Sequence, residues 1–165
     1  EGLQGALFQN IAHGLSTGAL FLIFGIIYDQ THTRDILDYG GMASQNKFLA
    51  TSFVFAAMAS VALPGLPGFV GEFLILSGTF YNHAYIAIVA MSGVLLGAIY
   101  TLTLVRKMVF GPKTATVGHL AEKVSWSEWH ADAPLIAAMV YLGMRPQFVF
   151  DFSRASVEAL LSVAR

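Results

Sequence analysis

The 165-residue sequence is 56% hydrophobic and only 12% charged, with a net charge of −1 and no cysteine. Soluble domains carry about 25% charged residues, so the composition excludes an ordinary cytosolic enzyme and a disordered segment. The near-neutral charge argues against a nucleic-acid partner, and the lack of cysteine excludes disulfides, thiolate metal sites and a cysteine nucleophile. The composition predicts an all-α protein, a polytopic transmembrane helix bundle that forms a single membrane domain over residues 1–165.

The first predicted element is a membrane span at about residues 3–28. Residues 2–28 contain no Asp, Glu, Lys or Arg, and about 20 apolar residues are enough to cross the hydrocarbon core. The chain begins with Glu1 and shows no signal-peptide pattern, so we expect an internal or C-terminal piece of a longer protein. A polar loop with a Gly-Gly turn follows over 29–47.

The next apolar stretch, 48–105, contains one formally charged residue, Glu72, and is too long for a single helix. The pair Asn82-His83 is the predicted boundary before a span at 84–105.

Two Pro-Gly pairs interrupt the first part of that stretch. Proline removes an amide donor and clashes with the preceding turn, so we predict one discontinuous helix with halves at 48–63 and 69–81 and a non-helical centre at 64–68. Backbone exposed at that depth is tolerated only inside protein or beside a wet cavity, and broken helices mark ion and substrate sites in transporters. The alternative is two separate short spans joined by a turn. The residues of the predicted break are Pro64, Gly65, Pro67 and Gly68.

The remaining elements are a polar stretch at 106–125, a last span at about 128–144 and an amphipathic interfacial helix at 150–164. If the broken helix crosses the membrane once, the loops 29–47 and 106–125 share one side. That side carries most of the Lys and Arg residues, so the positive-inside rule makes it cytoplasmic and places the C-terminus on the other side.

Glu72 is the first candidate functional residue. A carboxylate inside a span costs about 2.5–3.5 kcal/mol on insertion scales, but beside a helix break freed backbone groups and water can solvate it. We interpret Glu72 as a proton relay. The alternative is a structural carboxylate bonded to backbone amides at the start of the second half-helix, where the helix dipole favours it.

A polar stripe on the first span provides the second candidate. His13 has Gln9 one turn before it and Ser16 and Thr17 one turn after it, so all four share one helix face. Such a stripe inside a bundle can hold water and pass protons. The alternative is a neutral histidine bonded to a partner helix.

Two glycine pairs, Gly14 with Gly18 and Gly93 with Gly97, have the small-xxx-small spacing that is typical of close helix packing. We expect them to be packing surfaces and not functional sites.

The runs GLQGALFQNIAHGLSTGALFLIFGIIYDQTHTRDILDYGG and VALPGLPGFVGEF resemble the antiporter-like membrane subunits of proton-pumping NADH:quinone oxidoreductase, respiratory complex I. The resemblance covers nearly the whole chain and implies the C-terminal spans of such a subunit. It places the family's key histidine on His13, its loop arginine on Arg34 and its broken-helix acid on Glu72. Sister subunits and Mrp-type antiporters usually have lysine at the last position, so Glu72 favours one branch of the family.

The resemblance implies proton translocation coupled to electron transfer from NADH to a quinone. It implies that NADH, flavin, iron–sulfur clusters and quinone belong to partner subunits, with no cofactor or metal in this chain. The implied partners are other membrane subunits, among them antiporter-like neighbours, and the lipid bilayer, in a bacterial inner membrane. The alternatives are an Mrp-type cation/proton antiporter subunit of the same fold and a purely structural membrane subunit.

Overall fold

The computed structural model describes residues 2–163, and within that range the chain forms helices, turns and loops but no strand. The predicted all-α fold is therefore confirmed. The last residue of the predicted amphipathic helix, Ala164, lies outside the described residues, as do Glu1 and Arg165. The helices are α1 (Gly2–Thr31), α2 (Met42–Gln45), α3 (Lys47–Ser60), α4 (Pro67–Asn82), α5 (Ala84–Phe110), α6 (Trp126–Met144) and α7 (Gln147–Val163).

Helices α1 and α4 are antiparallel and make the most extensive helix–helix contact of the described chain. Gly2 lies opposite Gly78, Gly5 lies against Leu74, and Gly71 lies against Gln9. A Cβ atom at Gly5 or Gly71 would collide with the facing helix, so these glycines allow the close approach.

The predicted small-residue packing surfaces contact no other helix among residues 2–163. Nothing lies within 4 Å of the position that a Cβ would take at Gly14, Gly18 or Gly93. The expectation of close packing at these sites is wrong for the described residues, because α4 packs on a different face of α1.

The discontinuous helix is confirmed, but its break is at 61–66 and not at 64–68. Helix α3 ends where Ala62 adopts a left-handed conformation (φ 57°) and the Leu63 amide bonds to the Met58 carbonyl, the geometry of a Schellman C-cap. Gly65 is also left-handed (φ 93°). Pro67 is not in the break, because proline is well suited to the first position of a helix, where its missing N–H has no intrahelical partner to lose.

The two half-helices run in the same direction along α1. Phe53 of α3 meets Phe24 with ring centroids 5.5 Å apart, and further along the chain Glu72 of α4 meets Gln9. Since Gln9 lies towards the start of α1 and Phe24 towards its end, α3 and α4 together follow α1 once from end to end. The alternative of two separate spans is therefore wrong.

The loops before α3 and after α5 pack against each other, as predicted for loops on one side. The Asn46 side chain donates to the Ala121 carbonyl at 2.8 Å, and the Thr114 hydroxyl donates to the Asp38 carbonyl at 2.7 Å. The span predicted at 84–105 is longer in the structure, because buried Met108 and Val109 continue the helix to Phe110.

Helix α6 begins with a capping box between Ser125 and Glu128 and ends beside the break, where Gly143 contacts Gly65 and Leu66. The chain then bends by 72° into α7. Helices α1 and α5 are each long and apolar enough to cross a membrane, whereas α6 is long and apolar enough only together with α7. The predicted span at 128–144 is therefore a helix, but not one that qualifies as a span by itself.

The buried core lies between α1, α3, α6 and the C-terminal end of α5. Its largest fully buried side chains include Ile23, Phe53, Met108 and Met139. A smaller cluster around Phe8 joins α1 to the end of α6 and the start of α7. The main core therefore holds α3 and the break against α1, and Val70 of α4 packs on the smaller cluster.

Candidate functional site

Glu72 lies in the second turn of α4, just past the helix break, and is half-buried. Its Oε1 accepts a hydrogen bond from Gln9 Nε2 of α1 at 3.4 Å. Its carboxylate makes no bond to a backbone amide among the described residues, and α4 has no acidic residue in its first turn. The structural alternative of a carboxylate that caps the helix start therefore does not match the geometry.

Gln9 is the side chain that connects α1 to Glu72. Its Oε1 is buried and has no hydrogen-bond partner in the described part of the chain. An amide offers both a donor and an acceptor, so Gln9 can donate to an ionised carboxylate or, after rotation of the amide, accept from a protonated carboxyl. Gln9 is therefore suited to both protonation states of Glu72.

A cavity of about 300 Å³ lies beside Glu72, between the end of α3 and the middle of α5. Its wall includes Ser60, Gly93, Gly97 and Tyr100. A space of this size with polar groups on its wall has room for several water molecules. The glycines of α5 thus border a space next to the acid instead of packing against another helix.

The polar stripe of α1 divides into a buried and an open part. His13 is exposed and has the Thr17 hydroxyl 3.4 Å from its ring nitrogens. Ser16 is buried, and its hydroxyl donates to the His13 carbonyl and not to the ring.

His13 and Glu72 are not in direct contact within the described residues, and Gln9 lies between them, one turn before His13. The antiparallel register that places Gly71 opposite Gln9 puts His13 level with Pro67, next to the break. The stripe therefore leads from Glu72 to the level of the break.

Arg34 lies in the exposed loop between α1 and α3, away from Glu72. Its guanidinium carbon lies 4.7 Å from the centroid of the Tyr28 ring, an attractive cation–π arrangement. The loop's hydrogen bonds come from other side chains, such as the Tyr39 hydroxyl that donates to the Thr33 carbonyl. Among the described residues the Arg34 guanidinium makes no hydrogen bond to a helix end and stacks on an aromatic ring.

Asp132 of α6 is a buried acid that our interpretation of the sequence did not select. It is 1% exposed, and neither of its carboxylate oxygens has a hydrogen-bond partner among the described residues. In the sequence, Asp132 is recognisable as a charged residue within the span predicted at 128–144. Its inward orientation depends on how α6 is rotated against α3, which the sequence pattern does not reveal.

Comparisons with known proteins identify the family. Residues 1–97 match the family model described as NADH:quinone oxidoreductase/Mrp antiporter, TM. NADH-quinone oxidoreductase subunit M of Rhodobacter capsulatus is 43% identical over 161 residues, which are 98% of this chain and 31% of the relative. NADH-ubiquinone oxidoreductase chain 4 of Prototheca wickerhamii is 35% identical over 98% of this chain and 31% of the relative. The chain thus spans about a third of the length of the curated relatives it matches.

A solved structure agrees with these relatives. A chain of respiratory complex I from Thermus thermophilus with bound NADH superposes with a TM-score of 0.83 at 31% sequence identity, over 89% of this chain and 31% of that chain. Glu72 favours a branch distinct from the sister subunits and Mrp-type antiporters that usually have lysine there, and the relatives named subunit M agree with this branch. The family match and the long apolar helices show that this chain is an integral membrane protein of the NADH:quinone oxidoreductase/Mrp antiporter transmembrane family.

Proposed function

We propose that this chain is part of a proton-translocating membrane subunit of an NADH-quinone oxidoreductase, and that Glu72 takes up and releases a proton during turnover. The observation that carries the proposal is the environment of Glu72. It is an acid within a broken span, half-buried, bonded to a single neutral amide and bordering a cavity with room for water.

The proposed route uses the polar stripe of α1. Water in the cavity exchanges a proton with Glu72, Gln9 adjusts its amide to the protonation state, and His13 extends the route to the level of the break. Thr17 lies beside the His13 ring and supports it, whereas buried Ser16 stabilises the helix backbone. Arg34 belongs to the loop and takes no part in the route.

The energy for such transport comes from elsewhere in the complex. Moving a charge against a membrane potential costs about 2.3 kcal/mol per 100 mV, and the redox chemistry that supplies it belongs to partner subunits under this proposal. Those subunits hold the flavin, the iron–sulfur clusters and the sites for NADH and quinone, in a bacterial inner membrane. The antiporter-like neighbours contact this subunit within the bilayer.

The test uses the full-length subunit in the assembled complex, reconstituted in vesicles. Glu72→Gln keeps the size of the side chain and its hydrogen bonds but cannot ionise, so we expect NADH-driven proton uptake to fall severalfold in fully assembled complex. Glu72→Asp keeps the acid, and we expect it to retain part of the activity. Glu158→Gln makes the same chemical change at an exposed site on α7 and should pump like the wild type.

Two outcomes would contradict the proposal. Wild-type pumping by Glu72→Gln would leave Glu72 as a structural acid. Cation/proton exchange by the native subunit without any response to NADH would favour an Mrp-type antiporter instead.

A further inference from the structure

The most isolated ionisable group of the structure is Asp132, in the second turn of α6. It is 1% exposed, and both of its carboxylate oxygens lack a hydrogen-bond partner among the described residues. The buried side chain of Ser52, on α3, faces it. This acid belongs neither to the polar stripe of α1 nor to the cavity at Glu72.

No basic side chain compensates Asp132 within the described chain. The one ion pair there joins Arg154 and Asp151 on α7. The helices packed against α6 offer no nearby cation either: α1 has no Lys or Arg before its end, α3 has only Lys47 at its first position, and α4 has none. The titratable side chains that these helices do carry include His13, which is exposed, and Glu72, an acid like Asp132.

An ionised carboxylate without a partner is strongly disfavoured in an apolar interior, and such a group neutralises by binding a proton. A neutral carboxyl has one O–H donor, and the Ser52 hydroxyl is the polar side-chain group that faces it, although the two form no hydrogen bond among the described residues. The same hydroxyl is able to donate its own proton, so a serine facing an acid provides a step for proton exchange.

The position of this pair relative to the helix break adds a second observation. Ser52 belongs to the half-helix α3, which starts at the packed loops, and Glu72 belongs to α4 on the other side of the break. Buried Asp132 and half-buried Glu72 therefore flank the break from opposite sides, one towards the loops and one away from them.

We propose that Asp132 is a second protonatable site of this chain, a carboxylic acid that holds a proton at the interface of α3 and α6 and exchanges it with water through the Ser52 hydroxyl. This site does not depend on the proposed role of Glu72. It serves as a proton store on the loop side of the break, whatever the other acid does.

Infrared spectroscopy of the assembled complex, containing the full-length subunit, tests the proposal. A protonated carboxylic acid has a carbonyl stretching band that is separate from the bands of ionised carboxylates. We expect the difference spectrum between wild type and Asp132→Asn to show the loss of one such band, and we expect that band to shift after transfer to D₂O. Glu128→Gln is the matched control on the same helix. Glutamine preserves the capping box with Ser125, so this variant should lose no protonated-acid band.

Ser52→Ala provides an independent measurement that leaves the acid in place, and it carries the test if Asp132→Asn does not assemble. Removal of the facing hydroxyl should shift the Asp132 band and slow its exchange in D₂O. If the spectra of Asp132→Asn and Ser52→Ala both keep every protonated-acid band of the wild type unchanged, Asp132 is ionised and the proposal is overturned. A band that does not respond to D₂O would show a locked structural acid and would overturn the exchange.

These readouts are separate from proton pumping. If Glu72→Gln pumps like the wild type, the proposed function fails while the Asp132 band remains as predicted. If the Asp132 band is missing while Glu72→Gln is impaired, only the present inference fails.

Discussion

A single methyl group at Gly71 should disturb the contact between Gln9 and Glu72 without changing either side chain. A Cβ at Gly71 would lie 2.8 Å from the Gln9 Cβ and 2.9 Å from the Gln9 Cα. Carbon atoms in favourable contact are about 3.5–4.0 Å apart, so α1 and α4 must separate by about 0.7 Å or more at this point. The bond from Gln9 to Glu72 is already 3.4 Å long, so this separation breaks it.

The expected cost of Gly71→Ala follows from two opposing terms. Overpacking of a tight contact lowers the free energy of unfolding by about 1–3 kcal/mol. Replacing glycine by alanine in a helix raises it by about 1 kcal/mol. Gly2→Ala is the matched control on the same interface, because its Cβ would make an ordinary contact of 3.7 Å with Gly78. The difference in stability between the two variants therefore isolates the collision at Gly71.

The assay measures both stability and transport in the assembled complex. We expect Gly71→Ala to lower the thermal midpoint relative to Gly2→Ala and to reduce NADH-driven proton uptake, although Glu72 is intact. If Gly71→Ala pumps as fast as Gly2→Ala, the contact of Gln9 with Glu72 is irrelevant to transport. If its stability also matches the control, the close approach of α1 and α4 is itself in error.

Three further predictions concern the break, the loops and the topology. Ala62→Gly should raise the thermal midpoint, because Ala62 is left-handed and that conformation costs a non-glycine residue about 1–2 kcal/mol, whereas Ala59→Gly within α3 should lower it. Asn46→Ala should destabilise by about 2–4 kcal/mol in thermal unfolding, because the buried side chain both caps α3 at the Leu49 amide and bonds Ala121; Asn46→Ser, which retains only the cap, should cost less. Leu37→Cys and Lys123→Cys, both in exposed loop positions, should react with a membrane-impermeant maleimide from the cytoplasmic face. Labelling of the two cysteines from opposite faces would contradict the packing of the two loops. Labelling of both from the other face would show that the orientation is reversed.

The chain's own residues determine where its main helices and its helix break lie. Long apolar stretches predict α1 and α5, because hydrophobicity summed over many residues outweighs any single position. The Pro-Gly pairs predict the broken helix, because the loss of an amide donor and the clash of the proline ring are local effects. The same local reasoning misplaces the edge of the break, since Pro67 begins a helix as readily as it ends one.

The partners of the functional side chains were decided only by the tertiary structure. Glu72 is recognisable in the sequence as a charge within a span, but its bond to Gln9 depends on the antiparallel register of α1 and α4. Gly71 and Gly5, and not the predicted pairs at Gly14 and Gly93, permit the close contact, because the rotation of each helix about its axis is set by packing across the bundle. The burial of Asp132 has the same origin: a helical pattern shows which residues share a face, and only the neighbouring helices determine which face becomes the interior.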